Sequence, residues 1–70
     1  MPKPALQTPV SIAVDAHGGD FGLTTTVPAC LAALRSHHAL TLYLYGDEVA
    51  ITAVLGEVEP SVRVRLIVVH

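Results

Sequence analysis

Seventy residues lie near the lower limit for independent folding, where a chain of about 60 buries only roughly 60% of its unfolded surface, so a large self-contained core is not expected. Yet 51% of the residues are hydrophobic, only 14% are charged and mean hydropathy is +0.56, the balance of a buried interior that asks for more protein to cover it. A formal net charge of −2, with Arg63 and Arg65 as the close basic pair, argues against nucleic acid as a partner.

Residues 1–9 carry Pro2, Pro4 and Pro9 around the single charge of Lys3 and contain no apolar core, so they do not read as a secretory signal and are expected to form a short unstructured tail. Further along, Asp15, Asp20, Arg35, Asp47 and Glu48 interrupt the apolar runs, so no stretch reaches the ~20 residues of a membrane span. The lone Cys30 cannot form an internal disulfide, and a reducing, cytoplasmic setting fits it.

Val10 to Ala16 places large apolar residues at 10, 12 and 14 with small ones between, which predicts a strand packed on both faces. His17-Gly18-Gly19-Asp20-Phe21-Gly22 follows, a turn whose glycines permit backbone angles closed to other residues. From about Thr25 to His37, Val27, Cys30, Leu31 and Leu34 recur at helical spacing, with the preceding threonines as N-caps and Pro28 tolerated in the first turn. His37 and His38 fall at the helix end, where positive charge suits the macrodipole.

Leu40 to Tyr45 alternates with period two and predicts a second strand. Gly46-Asp47 supplies a turn and an N-cap for a short helix with an Ile51, Val54, Leu55 stripe, closed by Gly56. After Pro60 and Ser61, Val62 to Val69 predicts a third strand, at whose start Arg63 and Arg65 form solvated or interface salt bridges. The alternation βαβαβ implies a parallel sheet within an α/β, three-layer fold. The third strand would still need a covering helix, so residues 10–70 are expected to be the N-terminal part of a larger domain.

Ligands of open parallel sheets gather beyond the carboxyl ends of the strands. Three segments end there: the 17–22 loop, Gly46-Asp47 and His70. The first is chemically the richest, since glycines expose N–H groups to an anion and the following helix adds its positive end. A turn that merely reverses the chain explains the same glycines, and both readings stand at this level. Among other tempting residues, His17, His37, His38 and His70 lack the spacing of a metal site, so none is expected. Cys30 falls on the apolar stripe of its helix, as a small core residue rather than a nucleophile, and Tyr43 and Tyr45 read as packing.

The segment Ile12-Ala13-Val14-Asp15-Ala16-His17-Gly18-Gly19-Asp20-Phe21-Gly22 resembles the opening Val-Asp-Ala-Met-Gly-Gly-Asp motif of the PlsX-type phosphate acyltransferases. Leu42-Tyr43-Leu44-Tyr45-Gly46-Asp47-Glu48 is similar to that family's second strand and Gly-Asp-Glu turn, and Ile67-Val68-Val69-His70 to its third strand. His17 stands where the family usually has methionine, and Leu23 where it usually has proline.

The resemblance implies a longer enzyme with a fold similar to the isocitrate and isopropylmalate dehydrogenases, usually homodimeric and without a cofactor. It transfers a fatty acyl group from acyl carrier protein to inorganic phosphate, giving acyl-phosphate for phospholipid synthesis. Its setting is cytoplasmic and compatible with peripheral association at the inner face of the membrane. By the same resemblance Asp15, Gly18 and Gly19 belong to the phosphate and acyl-phosphate site, and Asp20 to the catalytic group. Asp20 can orient a donor, accept a proton from phosphate or cap the next helix. The 70 residues supply one wall of a cleft and are expected to be inert alone. Two rival readings are another enzyme of the dehydrogenase-like architecture, such as a metal-dependent decarboxylating dehydrogenase, and a small non-enzymatic α/β binding domain.

Overall fold

The computed structural model describes residues 9–17 and 22–70. Residues 1–8, most of the expected tail, and 18–21, the centre of the glycine-rich turn, lie outside the described residues. The elements run β1 (Val10–Asp15), α1 (Leu23–Ser36), β2 (Leu40–Tyr45), α2 (Glu48–Leu55), α3 (Pro60–Arg63) and β3 (Leu66–Val69). The strands form one parallel sheet in the order β1-β2-β3, as the alternation predicted, with an extra helical turn before the last strand.

Register decides which side chains meet the helices. Val10 lies beside Leu40, Ile12 beside Leu42 and Val14 beside Leu44, while Leu42 and Leu44 are matched with Leu66 and Val68. Because side chains alternate along a strand, all of these share one face. Two crossovers that step the same way across a parallel sheet put their helices on that one face. There α1 packs against both β2 and α2. The core is accordingly Val27, Cys30, Leu31 and Leu34 of α1, Leu40, Leu42 and Leu44 of β2, Ile51 and Leu55 of α2, with Val62 and Leu66. Leu34, Leu44, Ile51, Leu66 and Val27 are its largest fully buried members.

The opposite face carries Ala13, Tyr43 and Ile67 side by side, followed by Asp15, Tyr45 and Val69. The described residues thus form two layers, and the expected third layer is not among them. Strand β1 was expected to be covered on both faces, but it is an edge strand and Val10 and Ile12 stay nearly half exposed. The helices centre on β2, whose leucines take the burial.

Helix α1 starts two residues before the expected Thr25, and its N-cap is Gly22 rather than a threonine. Gly22 takes a positive φ of 66°, a conformation only glycine adopts freely, and its carbonyl accepts from the N–H groups of Thr25 and Thr26. Pro28 is therefore the sixth helical residue, past the first turn, and it faces outward. At the other end the His37 N–H donates to the Ala33 carbonyl, as expected of a helix stop. Helix α2 begins and ends where predicted, on Asp47 and Gly56, but Val54 sits at the exposed edge of the stripe and Ile51 and Leu55 carry the burial.

The third strand does not begin at Val62. Glu59 is held extended ahead of Pro60, Pro60 enters at the first helical position, and one turn of helix forms with Val62 as its buried anchor. Arg65, expected in a salt bridge, instead donates to backbone. Its Nη2 bonds the Leu34 carbonyl at 2.8 Å, Nη1 bonds those of His37 and Leu40 at 2.9 Å each, and Nε bonds that of Ser61 at 3.2 Å. The end of α1 leaves such carbonyls without helical partners, and a guanidinium fork supplies both donors and charge. Arg63 likewise bonds the Leu66 carbonyl.

Candidate functional site

Three strand ends converge at the carboxyl edge of the sheet, as the topology required. The Ala16 N–H donates to the Tyr45 carbonyl at 2.9 Å and the Gly46 N–H to the Val69 carbonyl at 3.0 Å. The ladder therefore continues one step beyond the strands and holds Ala16, Gly46 and His70 level with one another.

Asp15 ends β1 and is exposed, and its Oδ1 accepts from the His17 N–H at 3.0 Å. This side-chain turn swings the chain out of the strand and aims the His17 ring across the sheet edge. There its Nε2 accepts from the Asp47 N–H at 3.0 Å. The approach is possible because residue 46 is glycine: a Cβ there would stand 2.8 Å from both Cδ2 and Nε2 of His17 and 3.0 Å from the Ala16 methyl. Gly46 has no positive φ, so the space of one methyl, not backbone freedom, is what it supplies.

His70 does the same from the other side, its Nδ1 accepting from the Glu48 N–H at 3.1 Å. Asp47 caps its own helix, Oδ1 accepting from Val49 N–H at 2.9 Å and Ala50 N–H at 3.3 Å. The leading N–H groups of α2, from Asp47 to Ala50, thus all have protein partners. The amides at the start of α2 are therefore not free to receive an anion, and Gly18, Gly19 and Asp20, expected from the sequence at the phosphate site, lie outside the described residues.

A backbone N–H can only donate, so the ring nitrogen that receives it carries no proton. His17 is thereby fixed with its proton on Nδ1 and His70 with its proton on Nε2. Sequence reading placed all three segments here and singled out Asp15 with the double glycine. It left the role of His17 undetermined and treated His70 only as a strand end. The available signal was position, since both histidines follow directly on parallel strands that flank β2, and β2 is followed by Gly46.

Elsewhere, an open cleft of about 540 Å³ at the opposite edge is lined by Arg35, His38, Glu59, Ser61, Val62 and Arg65. Its guanidinium groups are already engaged. Arg35 grips Glu59 through two bonds of 2.9 and 2.8 Å, holding that carboxyl well below its usual range, at about 2. Cys30 is buried, and burial pushes its thiol up from the ordinary value, which suits a core residue. Among the described residues, no helix is long and apolar enough to cross a membrane.

Residues 10–70 match the family model described as "Fatty acid synthesis protein". A phosphate acyltransferase of Shewanella amazonensis is 49% identical over 63 residues, and one of Shewanella sediminis is 43% identical over 63 residues. Each match covers 90% of this chain and 18% of the relative, so the chain spans about a fifth of the length of the curated relatives it matches. No solved structure matches it.

Proposed function

The chain belongs to the fatty acid synthesis protein family, and from that premise we propose that it is part of a phosphate acyltransferase. The reaction is transfer of a fatty acyl group from acyl carrier protein to inorganic phosphate. The observation that carries this reading is the identity of 43 to 49% with proteins named phosphate acyltransferase, over 90% of this chain. The described sheet is then one portion of an isocitrate and isopropylmalate dehydrogenase-like fold, in a cytoplasmic homodimer able to associate peripherally with the membrane.

Chemically, a phosphate oxygen attacks the thioester carbonyl, a C–O bond forms, the C–S bond breaks, and the carrier thiolate leaves and takes up a proton. No enzyme nucleophile is needed. The protein must hold phosphate beside the carbonyl and stabilise the oxyanion, so positioning and fixed donors carry the acceleration. Gly18 and Gly19 give phosphate unshielded N–H donors ahead of α1, Asp15 fixes the exit from β1, and Asp20 receives the phosphate proton.

The test is acyl-phosphate formation, from acyl carrier protein thioester and inorganic phosphate, by the full-length enzyme that contains these residues. Gly19→Val should raise the KM for phosphate while carrier binding persists. Asp20→Asn should lower kcat by roughly 10²- to 10⁴-fold with stability nearly unchanged, because the N-cap of α1 is Gly22 and not Asp20. A folded Gly19→Val protein with normal phosphate dependence would remove the turn from the site.

A further inference from the structure

We propose that the carboxyl edge is a proton-sensitive latch, in which His17 and His70 tie the start of α2 to the strands on either side of β2 only while both rings are neutral. The latch belongs to the fold itself and stands apart from the acyltransferase reading.

The two contacts are built alike and come from opposite sides. His17, shortly past β1, accepts the Asp47 N–H through Nε2 at 3.0 Å, and His70, directly after β3, accepts the Glu48 N–H through Nδ1 at 3.1 Å. Each acceptor is an imidazole lone pair, and a second proton on the ring would occupy that lone pair. An imidazolium has only donors to offer a backbone N–H, so each bond ends when its ring becomes charged. Imidazole is also the side chain whose charge ordinarily changes between about pH 5 and 8.

The surroundings let the rings leave without unfolding anything else. Both residues are exposed, so neither departure opens the core. His17 already fills the space that a Cβ on residue 46 would need, 2.8 Å from its Cδ2 and Nε2, and its way out is toward water. The positive end of α2 favours that exit once the ring is cationic. Among the described residues, the other titratable groups at this end are Asp15 of β1, Tyr45 of β2, and Asp47 and Glu48 at the start of α2. The Asp15 carboxylate accepts from the His17 N–H at 3.0 Å, and that of Asp47 accepts from the N–H groups of Val49 and Ala50 at 2.9 and 3.3 Å. None of these bonds uses an imidazole nitrogen, and carboxylates ordinarily titrate near about 4, below the imidazole range. Helix α2 therefore keeps its own cap on mild acidification. What it loses is the tie to the flanking strands. The sign follows from linkage: only the released ring takes up the extra proton, so the stability these bonds contribute is complete where both rings are neutral and is lost as pH falls.

The experiment measures hydrogen exchange of residues 46–50 in the full-length enzyme that contains them, by mass spectrometry on the millisecond-to-second scale. Exchange is compared at about pH 8 and about pH 5, the two ends of the imidazole range, after correction for the intrinsic effect of pH. The variants are His17→Gln and His70→Asn, because glutamine Oε1 stands in for Nε2 and asparagine Oδ1 for Nδ1, and each amide oxygen accepts without titrating. In wild type the Asp47 and Glu48 amides should each lose about fivefold in protection at the lower pH, the worth of one ordinary hydrogen bond. Each single variant should abolish the change at one amide and leave it at the other, and the double variant should be insensitive to pH. Wild-type protection that is the same at both pH values would overturn the latch, whatever the variants do to folding. A folded double variant that keeps the wild-type response would overturn it too, by placing the titrating group elsewhere at this edge. Either result leaves the acyltransferase reading standing.

Discussion

Substituting Gly46 by alanine tests the geometry on which the carboxyl edge depends. The backbone at Gly46 is open to any residue, so alanine alone should stabilise the protein by about 0.4–1 kcal/mol through the unfolded chain. Against this, the added methyl would stand 2.8 Å from two atoms of the His17 ring and 3.0 Å from the Cβ of Ala16, which is fully buried and cannot retreat. Displacing the ring breaks its bond with the Asp47 N–H, a loss of about 1 kcal/mol. Crowding against Ala16 costs about 1 kcal/mol more, at the low end for overpacking. The net expectation is a destabilisation of about 1 kcal/mol, read as a lower urea midpoint at unchanged slope.

The decisive comparison is the same substitution in a His17→Ala background. There the ring and its bond are already gone, so Gly46→Ala should be close to neutral. The coupling between the two sites should then be about 1 kcal/mol, well above the ~0.3–0.5 kcal/mol scatter of independent positions. Equal cost in the two backgrounds would show that Gly46 does not make room for His17. The structural account of this edge would then fail.

Three further outcomes follow from the structure. Asp47→Ala should cost about 1 kcal/mol, while Asp47→Asn should stay within a few tenths, since both of its bonds are N-cap bonds that asparagine can also accept; urea unfolding of the pair checks this. Arg65→Lys keeps the charge but cannot fork to the carbonyls of Leu34, His37 and Leu40, so a loss of about 1–3 kcal/mol is expected in the same measurement. An unchanged midpoint would remove the clamp from the list of stabilising contacts. Glu59 titrates near 2 in the folded protein against 4.5 as the ordinary value, so its contribution is complete above about 4.5 and is lost as pH falls toward 2. Acid titration of Glu59→Gln should therefore lose the part of the pH dependence that lies in that window. The effect is small and weakens further with salt, because both partners are about half exposed.

The sequence by itself determined the features that depend on neighbours along the chain. The 3.6-residue spacing of Val27, Cys30, Leu31 and Leu34 defines the buried face of α1, the alternation of Leu40, Leu42 and Leu44 defines β2, and Asp47 and Gly56 bound α2. The order of these elements was enough to require a parallel sheet and to bring the segments after β1, β2 and β3 to one edge. Local signals misled where they were ambiguous. Valine alternating with arginine suggested an early start to β3, but Pro60 and the bonds from Arg65 to the end of α1 gave a helical turn first.

Only the tertiary structure decided what the strand ends do to one another. His17 meets Gly46 and Asp47 about thirty positions away, and His70 meets Glu48 across 22. No periodicity encodes such contacts, because they depend on register between strands rather than on spacing within one. The same holds for burial of β1. Its sequence suits a covered strand, and its place at the sheet edge, beyond the reach of helices centred on β2, leaves Val10 and Ile12 exposed.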